Sequence, residues 1–100
     1  MDANERDAVA GRRPWFKCFL QRELAVIATC RSNAELGRYY RARIIAEAAG
    51  RITPEAEKAA GKGQAAGLLA ECQETIEAGA AEYMKAVENG RRGSRKRWGA

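Results

Sequence analysis

Ser32–Gly50 reads SNAELGRYYRARIIAEAAG, and one helix accounts for the whole stretch. Ser32 followed three residues later by Glu35 has the spacing of a capping box, in which the hydroxyl accepts from the backbone N–H at the third helical position and the carboxylate reaches back. Gly50 suits the left-handed position that closes a helix. Between these signals Leu36, Tyr39, Tyr40, Ile44 and Ala48, joined by Ile45, recur at three- and four-residue intervals. The pattern predicts a helix over 33–49 with those residues on its inner face and with Arg38, Arg41 and Arg43 pointing mostly elsewhere.

Upstream, Pro14 fits the first position of a helix, where its missing N–H has no partner to lose. Phe16, Phe19, Leu20, Leu24, Ile27 and Ala28 then predict an amphipathic helix from about Pro14 to Thr29, with those side chains turned to the core. Residues 1–13 are polar and read as a weakly ordered segment with a short helix over Asn4–Ala10. Downstream, Thr53-Pro54-Glu55 is a second start signal, and Gly61-Lys62-Gly63 ends the short helix it opens. A long helix is expected from about Gln64 to Glu88, with Leu69, Cys72, Ile76, Gly79, Tyr83 and Ala86 as a seam and Asn89-Gly90 as its stop. If that seam is covered within one chain the protein is a monomer; if part of it stays exposed, two chains pair as a homodimer.

No stretch alternates like a half-buried strand, and alanine, glutamate and arginine dominate. One hundred residues make a single domain with a modest core. The expected fold is all-α: a small bundle of three to four helices with a long C-terminal helix and a flexible basic tail. It divides into a weakly ordered segment 1–13, a helical domain 14–89 and a tail 90–100.

Enzymatic chemistry finds little to work with. There is no histidine, so neither a Ser-His-acid nor a Cys-His arrangement can be built. Cys18, Cys30 and Cys72 are far apart, form no CxxC pair and read as reduced thiols. The glycine-lysine steps do not match a phosphate-binding loop. The expectation is therefore no enzyme, no catalytic residue, no cofactor and no metal. The longest apolar run, Leu24–Cys30, is far short of the roughly 20 residues that span a bilayer, and the charged opening MDANERDAVAGRR has no apolar signal segment. No membrane association and a cytoplasmic location in a host cell are expected.

Charge is the strongest functional signal. The chain carries net +5, and residues 90–100, GRRGSRKRWGA, hold Arg91, Arg92, Arg95, Lys96 and Arg97 with no acidic residue. Everything before Gly90 is neutral: residues 1–51 are net +4 and residues 52–89 net −4. Clustered cations release counterions from a polyanion, and Trp98 adds a face on which a base can stack. The expected partner is DNA or RNA, held through phosphates without sequence preference. Engagement of all five cations predicts a log–log salt slope of about −4.5 on duplex DNA. Arg38, Arg41 and Arg43 form a candidate secondary basic surface, with Tyr39-Tyr40 beside them. Glu71, Glu74, Glu77, Glu82 and Glu88 form an acidic face suited to a protein partner.

The segment WFKCFLQRELAVIATCRSNAELGRYYRARIIAEAAG, followed by an acidic stretch and then YMKAVENGRRGSRKRWG, resembles small helical proteins encoded by phages and prophages. Those proteins pair an aromatic opening motif with a helix of this type and finish on a tyrosine, an NG step and a glycine-punctuated basic tail, here Tyr83, Asn89-Gly90 and Arg91–Arg97. Similar tails follow the winged-helix domains of phage replication initiators. The resemblance implies a phage origin and a link to replication. Ser94 stands where a further glycine is usual, and the body lacks a winged helix's strand pattern. Two functions follow as expectations: a phage nucleic-acid-binding accessory protein acting through its tail, or an inhibitor of a host protein, such as a defence nuclease complex, acting through its acidic helix.

Overall fold

The computed structural model describes the backbone of residues 13–98 and the side chains of residues 13–93. The short helix expected over Asn4–Ala10 lies outside the described residues. Among them the fold is all-helical, with five helices and no strand: α1 Leu20–Thr29, α2 Asn33–Ala49, α3 Pro54–Ala60, α4 Gln64–Glu71 and α5 Gln73–Trp98.

Helix α2 is the centre. Its start follows the local chemistry, since the Glu35 backbone N–H donates to Ser32 Oγ at 3.1 Å. The returning half of the box is displaced by one residue, with Glu35 Oε1 accepting from the Arg31 N–H at 3.2 Å. At the other end Gly50 adopts φ 78°, and its N–H closes onto Ala46. A side chain at that dihedral would be strained. Thr53 caps α3 by accepting from the Ala56 N–H at 3.2 Å, with Pro54 at the first turn.

Helices α3 and α4 pack on α2, and the core between them is built largely from alanine. Ala42, Ala46, Ala56, Ala60 and Ala65 are buried together with Val26, Tyr39, Leu69, Cys72 and Ile76. Small side chains let helix axes approach closely, but each contributes little burial. Full burial of Leu69 or Ile76 is worth about 1.5–3 kcal/mol, and few side chains of that size are enclosed.

The inner face of α2 differs from the expected one. Tyr39 is buried and Leu36, Tyr40 and Ile45 are partly buried, but Ile44 and Ala48 face solvent. Ala42, Arg43, Ala46 and Glu47 occupy the interior instead. The helix is rotated so that two ionic residues are enclosed, each with a partner.

Residues 13–19 are not helical, so the expected start of the first helix at Pro14 is corrected to Leu20. Tertiary contacts take this segment elsewhere: the Arg13 guanidinium donates to the Glu47 carbonyl at 2.6 Å and to its carboxylate at 2.8 Å. Arg43 also donates to the Lys17 carbonyl at 3.4 Å. Helix α1 that follows is turned over relative to expectation. Val26 is its buried residue, while Leu20 is 75%, Leu24 57% and Ile27 54% exposed, with Phe19 and Ala28 also outside.

The single helix expected from Gln64 is interrupted at Cys72, whose N–H bonds to the Leu69 carbonyl three residues back at 2.9 Å. Cys72 Sγ takes up the Leu68 carbonyl at 3.3 Å, satisfying an acceptor at the break. Helix α5 then continues past Asn89-Gly90 to Trp98, so that step is not a stop. An exposed glycine inside a helix costs only about 1 kcal/mol, and the flanking arginines are good helix formers.

Candidate functional site

Of the basic residues in the C-terminal segment, Arg91 and Arg92 are exposed on α5. The helical backbone continues through Arg95, Lys96, Arg97 and Trp98, whose side chains lie outside the described residues. In a helix, positions 91, 92, 95 and 96 fall along one side of the cylinder. The expected secondary surface of Arg38, Arg41 and Arg43 is only partly assembled. Arg38 and Arg41 line a groove of about 650 Å³ between α2 and α3, together with Ala34, Glu55, Lys58 and Ala59. Lys58 supplies a third cation there, one that no spacing along the chain links to the arginines because it lies on a different helix.

Arg43 does not belong to that surface. Its side chain is 1% exposed and donates to Glu23 Oε1 at 2.7 Å and to the Tyr39 hydroxyl at 3.0 Å. The Phe16 ring covers it, with the guanidinium carbon 5.3 Å from the ring centroid. Glu23 accepts from the Tyr40 hydroxyl through its other oxygen at 2.9 Å. Tyr39 and Tyr40 meet edge to face at 4.9 Å, so the pair flanking the arginines is structural packing rather than a stacking platform.

The network extends to the break between α4 and α5. The Tyr39 hydroxyl meets Cys72 Sγ at 3.4 Å, and Arg22 Nη2 donates to the same sulfur at 3.3 Å. Burial, then the bond to Cys72, raises the Tyr39 hydroxyl well above its ordinary range. Burial and the neighbouring Glu23 carboxylate push Tyr40 up to about 12. Burial also raises Glu47, against the opposing pull of Arg13 and Arg43.

Glu71, Glu74, Glu77, Glu82 and Glu88 are all exposed, on the end of α4 and along α5. Glu82 approaches Lys17 at 3.7 Å in an open ion pair between the acidic and basic halves of the chain. A surface pair of this kind is worth about 0–1 kcal/mol, so it does not fix the halves together. Leu69, Cys72 and Ile76 of the seam are covered within the chain, Gly79 and Tyr83 are half-buried, and Ala86 is exposed.

Beside Tyr83 and Ala86 a second groove, about 490 Å³, runs between residues 13–19 and α5. Trp15, Phe16 and Phe19 line it, with Lys17 and Glu82 at its rim. Gly79 admits this approach: a Cβ there would lie 2.9 Å from Arg13 Nη1. Among the described residues no group of cysteine and carboxylate side chains could hold a metal ion, and no helix is long and apolar enough to cross a membrane. Comparisons with protein-family models, with curated proteins and with solved structures found no match for the chain.

Proposed function

We propose that this is a small nucleic-acid-binding accessory protein of phage origin, acting in the host cytoplasm. In this reading α1–α4 form a compact helical bundle, and the C-terminal helix projects its basic end toward phosphates. The observation that carries the proposal is the distribution of charge: residues 90–100 hold five cations and no carboxylate, while the rest of the chain is neutral. Arg91 and Arg92, exposed on a helical backbone, support contact by one side of a helix, a shape that the major groove admits. Arg38, Arg41 and Lys58 offer a second, weaker set of phosphate contacts. The resemblance to phage proteins supports a role near replication and adds no chemistry.

Fluorescence anisotropy with labelled single-stranded and duplex DNA at low salt tests the proposal. The intact chain binds both, and a chain ending at Gly90 loses that binding. Unchanged binding by the shortened chain, or none by the intact one, rejects it.

A second reading rests on the five exposed glutamates. A row of carboxylates can occupy a basic nucleic-acid groove on a host protein and block it. Pull-down from host lysate separates the two: recovery of a stoichiometric protein that survives nuclease treatment supports inhibition, and recovery that collapses supports nucleic-acid binding.

A further inference from the structure

The later turns of α5 stand clear of the rest of the protein. Glu88 through Gly93 are all exposed, more than one full turn, so no side of the helix is covered there. A Cβ added at Gly90 or Gly93 would meet nothing within 4 Å. Lower down, α5 is held to the body along one stripe, with Ile76 and Ala80 buried and Tyr83 and Val87 half-buried. That stripe runs on through positions 90 and 94, a glycine and a serine. Positions 91, 95, 92 and 96 follow one another around the cylinder within an arc of about 140°, whose middle lies about 120° round from the stripe. The cationic arc therefore faces away from the bundle, and position 97 alone of the five cations falls outside it.

We infer that the partner of this end is B-form duplex DNA, with the free end of α5 lying in the major groove. Given residues 90–100 as the nucleic-acid contact, as proposed above, shape selects among nucleic acids. A helix lying against a protein body offers phosphates only its outer side, whereas a free cylinder about 10–12 Å across enters a groove about 12 Å wide. There the outer positions of the arc, 91 and 96, fall toward opposite phosphate walls, and the middle positions, 92 and 95, toward the floor. A-form RNA offers no such entry, because its major groove is deep and narrow. A single strand presents one line of phosphates in place of two walls.

Charge on the same side of α5 sets how far the groove is followed. Below Arg91 that side carries Glu74, Glu77 and Glu88, with Lys85 as its one cation. Phosphates are attracted beside Arg91 and Arg92 and repelled one turn back, at Glu88. Contact is thus confined to residues 91–98, about 12 Å of helix. The tip enters and the bundle stays outside the duplex.

Fluorescence anisotropy of the full chain against one sequence prepared as duplex DNA, duplex RNA and single-stranded DNA, at one salt concentration, tests this. Duplex DNA is expected to bind at least about tenfold more tightly than either of the others. Gly93→Pro keeps every charge and breaks the helix at its exposed end, so it is expected to weaken duplex DNA binding about tenfold while changing single-strand binding less than about twofold. Wild-type protein on duplex DNA glucosylated in the major groove at hydroxymethylcytosine needs no variant and should show a similar loss. Glu88→Gln should tighten duplex binding severalfold, and Glu57→Gln, an equal change of charge at an exposed position on α3, should do so less. Equal affinity for duplex DNA and either other form overturns the groove assignment, as does undiminished binding to glucosylated DNA, wild-type duplex binding by Gly93→Pro, or equal gains from the two glutamate changes. In those cases the basic end remains a phosphate contact without groove entry. No binding to any of the three nucleic acids overturns the assignment together with the reading on which it rests.

Discussion

Arg43 Nη1 lies 2.7 Å from Glu23 Oε1, and the Arg43 side chain is 1% exposed and that of Glu23 15%, so α1 is fastened to α2 by an ion pair largely withdrawn from water. The pair has company in Tyr39 and Tyr40, yet Arg43 Nε has no hydrogen-bond partner. Enclosing two charges carries a desolvation cost that their attraction offsets only in part. Removing one partner is far worse, because it leaves the other charge buried alone.

Glu23→Ala is accordingly expected to lower the free energy of unfolding by about 3–5 kcal/mol. The double variant Glu23→Leu, Arg43→Met is expected to lie closer to wild type than either single substitution. Urea unfolding followed by circular dichroism measures all five proteins, and a double variant weaker than both of its singles contradicts the account.

The tyrosines of the same network predict an alkaline transition. Folded Tyr40 keeps its proton to about 12, against 10.0 for a tyrosine free of these contacts. The folded state thus binds the proton more tightly than the unfolded state. The stability this contributes is fully present below pH 10 and is lost as pH rises through about 12. Tyrosinate absorbance near pH 11 is expected to be lower for native protein than for the same protein in denaturant, and Tyr40→Phe should narrow the gap.

Glycine substitutions separate position from identity. Gly37 lies inside α2, and a methyl added there would meet nothing within 4 Å, so Gly37→Ala is expected to stabilise by about 0.5–1 kcal/mol and raise the melting temperature by several degrees. Gly50, at φ 78°, should respond in the opposite sense, Gly50→Ala destabilising by about 1 kcal/mol. Differential scanning calorimetry reads both.

Thiol labelling reports the layering of the fold. Cys18 is exposed, Cys30 is intermediate and Cys72 is buried. With a chromogenic disulfide, Cys18 is expected to react first, more slowly than a free thiol at neutral pH because desolvation raises it. Cys72 should react only as the protein unfolds.

For the basic end, Arg91→Ala with Arg92→Ala is expected to reduce the log–log salt slope of duplex binding by about 2. Arg38→Ala with Arg41→Ala should change it less, because Glu55 shares their groove. Equal effects from the two pairs would move the interface toward α2.

What could be read in the sequence was the chemistry that acts over three or four residues. Ser32, Thr53, Pro54 and Gly50 specify caps and ends through their own backbone neighbours, and α2 and α3 begin and end as those residues require. The inner face of α1 was not legible, since periodicity assumes that the protein's body offers an apolar surface to a helix. Here it offers the Arg43 guanidinium, the Tyr40 hydroxyl and Cys72 Sγ, and the side chains that can satisfy these are Glu23 and Arg22. Arg41 and Arg43 are alike in local sequence, and only the carboxylate on another helix tells the buried one from the exposed one. Cys72 carries no helix-breaking character, so the interruption there, where its Sγ meets the Tyr39 hydroxyl, has no signal in the local pattern. At the candidate interface, the cationic composition of residues 90–100 was legible, whereas the groove joining Lys58 to Arg38 and Arg41 required the third dimension.

The attachment of α1 through charged and hydroxyl groups has a kinetic consequence. When an apolar helix leaves a core, oil meets water on both sides of the tear; when α1 leaves, it uncovers Val26 but also the Arg43 guanidinium, the Glu23 carboxylate and the Tyr40 phenol, which water solvates readily. Its release and return should therefore proceed without melting α2–α4, and amide protons along 20–29 should exchange by an opening of lower free energy than those of α2. The alanine-packed helices would keep their shape while α1 swings free and redocks.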